Sequence, residues 1–330
     1  VAKKHTVLVT GGAGFIGRWV VKALLDDTAN RVAVVDDLSN GCMENITEFC
    51  NEPRFELFQK GKVENPKTME SLFKSLKPAH CLHLAAQIIV QQSIDDPMTT
   101  FRSDVEGTFR LLELCRAHNT AMLFMSTCMV YDMASASGSI NEKHPVLPRS
   151  PYAGAKLAAE HMCVSYAHAY GLPVTVIRPF NTYGPHQKSS GEGGVVSIFL
   201  HRALRNQPLC IYGDGAQTRD LLYVEDCVDF ILRASGNPVA SGQIFNAGTR
   251  RDVSINTLAE MALKTVPEST SKVKHIAHIH PQSEITKLCC NAQKAGKLLG
   301  WKVSTPLEKG LDNTCAWIAQ NLEQGRDTWS

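Results

Sequence analysis

Tyr152 and Lys156 stand four residues apart in a helical stretch, which puts both side chains on one face. A free phenol keeps its proton until about pH 10. An ammonium beside it, with a second positive charge on a bound ligand, would favour the phenolate. A phenolate so placed can take the proton of a substrate hydroxyl. For the pair alone, the plainer reading is a core tyrosine with a surface lysine one turn below. Ser126 and Thr127 follow an apolar run, Ala121 to Met125, that would end at the same rim. A hydroxyl there would hold the reacting hydroxyl beside the phenol; the alternative is a strand-end cap. Cys128 is next in line. It reads as a nucleophile or, more simply, as a small buried thiol with no base fixed beside it.

The elements that must position these groups begin at Val7 to Gly17, VLVTGGAGFIG. Val7 to Thr10 has the look of a buried parallel strand. Gly11, Gly14 and Gly17 then recur every third residue, and a helix starts near Gly14, with an amphipathic stretch from Trp19 to Leu25. Free N–H groups and the helix dipole at such a start suit a pyrophosphate. A second apolar run, Val32 to Val35, ends in Asp36, which can accept both hydroxyls of an adenosine ribose. Asp36 and Asp37, with no nearby arginine, would repel a 2′-phosphate, so the cofactor expected is NAD rather than NADP.

Strands at Phe55–Phe58, Cys81–Ala86, Ala121–Met125 and Val174–Ile177 alternate with helices at Asn65–Leu76, Met98–His118 and Tyr152–Tyr170. In the long middle helix Phe101, Val105, Thr108, Leu111, Leu112 and Cys115 share the inner face. Gly107 within it means close approach by backbone or ligand, or tight helix packing. This βαβ alternation predicts an α/β, Rossmann-type doubly wound parallel sheet over residues 1–181. Beyond Asn181 short strands and helices mix, with strands near Leu209–Tyr212, Asp220–Val224 and Ile244–Ala247. Residues 182–330 are expected to form a smaller mixed α/β substrate domain, with elements around 219–248 returning to the first. The Ser189–Gly194 stretch would be mobile.

A net charge of +2 over 330 residues excludes nucleic acid and anionic membranes as the natural partners. No stretch is long and apolar enough to span a bilayer, and the first strand starts too early to leave room for a signal peptide. The eleven scattered cysteines form no metal-spaced group and read as reduced thiols of a cytoplasmic protein, with no metal expected.

With these residues in view, the chain resembles the extended short-chain dehydrogenase/reductase family, among its NAD-dependent nucleotide-sugar epimerases and dehydratases. The resemblance rests on VTGGAGFIG at 9–17, DDLSNG at 36–41, HLAA at 83–86, GTFRLLE at 107–113, STCMVY at 126–131 and SPYAGAK at 150–156. It continues with RPFNTYGP at 178–185, GDGAQTRDLLYVED at 213–226, FNAGT at 245–249 and LGW at 299–301. It implies Tyr152 as base, Lys156 as its partner and Thr127 on the reacting hydroxyl. NAD would be held by Gly11, Gly14, Phe15, Ile16, Gly17, Asp36, Asn40, Val63, Ala85, Tyr152 and Lys156. A nucleotide diphosphate sugar would meet Ser126, Thr127, Asn181, Val196 and Arg219. Relatives pair the 98–118 and 152–170 helices into a homodimer, and the small residues Ala153, Ala158, Ala159 and Met162 suit such packing.

Four positions depart from the pattern. Gly61-Lys62 replaces a Gly-Asp pair, Asp104 replaces asparagine, and Asp132 replaces glycine. A phosphate-binding arginine is absent before Pro281, leaving His280 or Lys287 to supply a second clamp if there is one. By the same resemblance, 4,6-dehydratases carry Asp–Glu after the threonine, where this chain has Cys128-Met129. The expected activity is therefore 4-epimerisation of a nucleotide sugar, with a UDP-sugar the family prior. Two alternatives stay open: an atypical dehydratase using Cys128, and an NAD-binding scaffold without turnover.

Overall fold

The computed structural model describes residues 5–135, 138–189, 194–278 and 281–326. The strands, in chain order, are β1 His5–Thr10, β2 Asn30–Asp36, β3 Phe55–Lys60, β4 His80–His83, β5 Ala121–Met125, β6 Val174–Pro179, β7 Asn181–Tyr183, β8 Leu209–Tyr212, β9 Thr218–Tyr223, β10 Ile244–Ala247, β11 Asp252–Ser254, β12 Val273–Ile276 and β13 Lys287–Leu288. The helices are α1 Phe15–Asp26, α2 Pro66–Leu76, α3 Val90–Asp95, α4 Pro97–Thr100, α5 Gly107–His118, α6 Pro151–Tyr170, α7 Val195–Leu204, α8 Val224–Ala234, α9 Ile255–Thr265, α10 Gln293–Leu299 and α11 Leu307–Glu323.

Seven parallel strands form the main sheet in the order β10-β6-β5-β4-β1-β2-β3. The order reverses between β1 and β4, which opens a crevice at the carboxyl ends of those strands. Both faces are covered. Val7, Val9, Val32 and Val34 pack on one side with α1 and α8 residues such as Val20, Val21 and Phe230. Leu8, Ala33 and Val35 pack on the other with Leu111, Cys115 and Cys163. Burial on two faces explains why these strands read as unbroken apolar runs. A second sheet holds β11, β9 and β13, with β7 also pairing β9, and β8 pairs β12. A third apolar cluster joins α7, α9 and α11 through Phe199, Leu258 and Ile318.

Two expectations need correction. The middle helix is not uniform: residues Phe101–Glu106 form a π-turn between α4 and α5. Its wider turn breaks the 3.6-residue register, so Phe101, expected on the inner face, is 53% exposed, and Asp104 is buried instead. The fourth strand ends at His83, and Leu84 to Ala86 leave the ladder. Gly107 answers to packing: a Cβ there would come within 2.8 Å of Val63 Cγ2. The stretch expected to be mobile falls largely on residues 190–193, which lie outside the described residues, as does His280.

Candidate active site

The β1–α1 turn is shaped by its glycines. Gly11 has a φ of +74°, and a Cβ on it would lie 2.7 Å from the backbone N of Ala85. A Cβ on Gly17 would lie 2.0 Å from the Gly11 carbonyl oxygen. Helix and strand therefore meet backbone to backbone, with Gly14 as N-cap and no side chain capping the first turn of Phe15, Ile16 and Gly17. Asp36 closes the far side of the turn. One carboxylate oxygen accepts the Ala13 N–H at 3.0 Å and the other the Leu38 N–H at 2.8 Å. Burial raises its pKa while those two bonds lower it. Each oxygen keeps a free lone pair for a further donor. Asn40 is half-buried in the loop that follows, Val63 is buried, and the Ala85 N–H donates to Thr10 Oγ1 at 3.4 Å.

Tyr152 is set by the local sequence Ser150-Pro151-Tyr152. Ser150 Oγ accepts the Ala153 N–H at 3.2 Å, and Pro151 occupies the first helical position. Tyr152 is therefore fixed in the first turn of α6, with Lys156 one turn on. Across from them Thr127 caps the short turn Cys128–Val130, its hydroxyl accepting the Met129 N–H at 3.2 Å. Thr127 and Tyr152 meet: the threonine hydroxyl, in hydrogen-bonding reach, favours the phenolate. Burial outweighs it, and Asp104 and Cys128 add to burial, so the phenol is held above its ordinary range. The downward pull expected from Lys156 is thus reversed in the protein alone. Lys156 is itself 2% exposed; burial lowers its pKa, and Asp104 and Glu160 pull it back up. Its ammonium lies 4.5 Å from the centre of the Phe124 ring.

Cys128 is buried, and desolvation pushes its thiol up to about 12. Arg219 and Asp220 both act on it, which brings the β9 residues to the same place. Arg219 is engaged within the protein. Its guanidinium donates to the carbonyls of Thr218 and Ile285, both at 2.8 Å, and pairs with Glu284. Glu284 also meets His278 Nε2 at 2.5 Å. Asn181 Nδ2 donates to the Asp220 carbonyl at 3.4 Å. Val196 is buried in the first turn of α7, and Ser126 Oγ is buried with no protein partner.

Sequence reasoning missed a buried support behind Lys156. Arg178 Nε donates to Glu160 Oε1 at 2.9 Å in an ion pair that is almost fully enclosed, and its guanidinium lies 4.6 Å from the Tyr131 ring centre. The arginine inside the otherwise apolar strand β6 was the available signal. No group of metal-ligating side chains is found among the described residues.

A parallel sheet with a glycine cradle at its switch point, facing a Tyr/Lys helix and a strand-end threonine, defines a dinucleotide-binding enzyme class. The comparisons with known proteins agree. The family model described as GDP-mannose 4,6 dehydratase matches residues 8–314. The chain is 36% identical to the UDP-glucose 4-epimerase of Mycolicibacterium smegmatis, covering 93% of this chain and 96% of that one. The structure of Pal from Bacillus thuringiensis superposes with a TM-score of 0.92 at 52% identity, covering 96% of this chain and 99% of that one. UDP-glucuronic acid 4-epimerase from Bacillus cereus, solved with UDP-glucuronic acid and NAD, superposes with a TM-score of 0.87 at 28% identity, with coverage of 96% and 99%. The chain belongs to the extended short-chain dehydrogenase/reductase family, in its NAD-dependent epimerase/dehydratase branch.

Proposed function

We propose that the protein is a nucleotide-sugar 4-epimerase that works through bound NAD. The residues present fit NAD: the glycines let β1, α1 and the Leu84–Ala85 backbone close on one another, the first turn of α1 has no side-chain cap and can receive a pyrophosphate, and Asp36 keeps acceptor capacity for a ribose. When bound, NAD supplies reversible hydride acceptance. The chain's own residues then handle one proton. Thr127 holds the C4 hydroxyl, Tyr152 takes its proton and later returns it, and Lys156 steadies the phenolate and the nicotinamide ribose. Ser126, Asn181, Val196 and Arg219 are assigned to the nucleotide sugar, which would then lie between the 1–181 and 182–330 parts.

The observation that carries the epimerase reading is the wall beside Thr127. At the two positions after Thr127 it offers the thiol of Cys128, held neutral by burial, and Met129, in place of a carboxylate pair. Epimerisation asks for no additional acid or base, since the 4-keto sugar only has to turn over before it is reduced again. One observation favours dehydration as a second reading: Cys128 is close enough to affect Tyr152, and a neutral thiol can protonate a departing C6 hydroxide. Incubation with a panel of nucleotide sugars separates the two. Product of unchanged mass and new retention supports the epimerase, and loss of water supports the dehydratase. Absence of any product would favour a scaffold.

We propose further that the protein is a homodimer through α6 and the helical stretch from α4 to α5. Met98 and Phe101 are both more than half exposed and, with Val105, Gly154, Ala155 and Ala158, line one apolar groove. Sedimentation of a stable monomer at micromolar concentration would refute this.

A further inference from the structure

Arg219 and His278 come from separate segments and converge on one carboxylate. Arg219 lies in β9, and its guanidinium pairs with Glu284 Oε1. His278 lies just beyond β12, and its Nε2 meets Glu284 Oε2 at 2.5 Å. A carboxylate that holds a guanidinium with one oxygen accepts with the other as well, so Nε2 is the donor. The three side chains are 16%, 15% and 20% exposed for Arg219, His278 and Glu284. They are enclosed enough to be little screened and open enough for a ligand to reach.

Each member is placed by the chain around it. Ser283 and Ile285, on either side of Glu284, are buried. Ser283 Oγ donates to the Arg149 carbonyl at 3.0 Å, and the Ile285 carbonyl accepts from Arg219 at 2.8 Å. The imidazole lies against Tyr212, the last residue of β8, with ring centres 5.7 Å apart. A second cation for the diphosphate was expected from His280 or Lys287. His280 lies outside the described residues. Lys287 pairs in register with Thr218, and Leu288 with Arg219. Side chains alternate along a strand, so Lys287 shares the face of Thr218 rather than that of Arg219. His278 is the residue that meets the same group as Arg219.

We propose that His278 is a diphosphate-binding residue: it and Arg219 meet one phosphate group of the substrate from the positions at which they meet the Glu284 carboxylate. This rests on Arg219 being a contact of the nucleotide sugar, as assigned above. Phosphate and carboxylate oxygens accept the same charge-assisted donors at similar lengths. A pair of donors that closes on the two oxygens of a carboxylate can therefore close on two oxygens of a phosphate. Arg219 brings a planar fork of N–H groups, and His278 adds one directed N–H. Glu284 then competes with the ligand for both.

The test is calorimetric binding of UDP to the NAD-loaded protein, in a cycle of His278→Phe and Glu284→Gln. His278→Phe keeps a ring against Tyr212 and removes the donor. It is expected to weaken UDP about tenfold, the scale of one hydrogen bond to a charged group. His278→Arg should restore the affinity. The tenfold loss should persist when His278→Phe is made in the Glu284→Gln protein, because a residue that touches the phosphate does not act through the glutamate. A loss that vanishes in that background makes His278 only a holder of Glu284 and overturns the proposal. An unchanged affinity in His278→Phe overturns it too. If His278→Phe does not fold, His278→Leu carries the same comparison. Should UDP not bind the wild type, the UDP reading fails, and inorganic pyrophosphate decides the role of His278. Its imidazole proton resonances should then move on pyrophosphate addition in the wild type and stay in place in Arg219→Ala. Resonances unmoved in the wild type would overturn the proposal.

Discussion

Thr127, Tyr152 and Lys156 are held by backbone elements that end or begin at or within a turn of them, whereas the Arg219 guanidinium is held by Glu284 and two backbone carbonyls. A strand end, a capped turn and a capped helix fix the first group without any ligand. Arg219 instead has its guanidinium occupied by Glu284 and two carbonyls. The reacting end is thus organised in advance, in the manner that favours catalysis by orientation. On the proposed assignment, Arg219 would exchange an internal carboxylate for the ligand's diphosphate. Bidentate recognition of phosphate is what a guanidinium offers once released.

Tyr152→Phe strikes the preorganised end hardest. The ring still packs, so folding and NAD content should persist while kcat falls about 100-fold or more. Full activity in this variant would end the proposed mechanism for epimerase and dehydratase alike. At the other end, Arg219→Ala should raise KM roughly 10- to 100-fold with a smaller change in kcat, the scale of a lost charged hydrogen bond. Glu284→Gln should act in the opposite direction and lower KM a few-fold, because the arginine no longer has to be released. If Glu284→Gln instead raised KM as Arg219→Ala does, the glutamate would be an aligner and the contrast between the two ends would dissolve.

Thr127→Ala comes next, at about tenfold in kcat, since it removes a hydroxyl that orients the proton rather than one that takes it. Cys128→Ser is the smallest expected change, within about twofold on the epimerase reading, where the thiol only lines the wall. Product mass measured on the same samples sharpens it. Dehydrated product from the unmutated protein that vanishes in Cys128→Ser would make the thiol an acid and replace the preferred reading.

The contrast between the two ends also explains what could be read from sequence. Gly11, Gly17, Asp36, Tyr152 and Lys156 act through local spacing, and each stands where spacing puts it. Asp36 even serves the turn that precedes it, across 23 residues, because β1 and β2 are neighbours in the expected sheet. The Arg219–Glu284 pair joins residues 65 apart across α8, α9 and several strands, and leaves no periodic trace. The strand Val273–Ile276 was missed for a related reason: it is largely exposed at the edge of a two-stranded ladder, without an apolar pattern. Phe101 was misplaced, since helical periodicity assumes an even turn and the π-turn is not even.

That turn makes the helix a two-sided coupling. A residue added to an α-helix rotates everything before it by about 100° relative to everything after it. Here the rotation brings a carboxylate in toward Lys156 and sends an aromatic ring out to the apolar groove with the same step. Deletion of one residue between 101 and 106 would undo both at once. The charge near the phenol and the exposure of the apolar groove are therefore not separately adjustable by insertion or loss; chain length here changes both as a single trait.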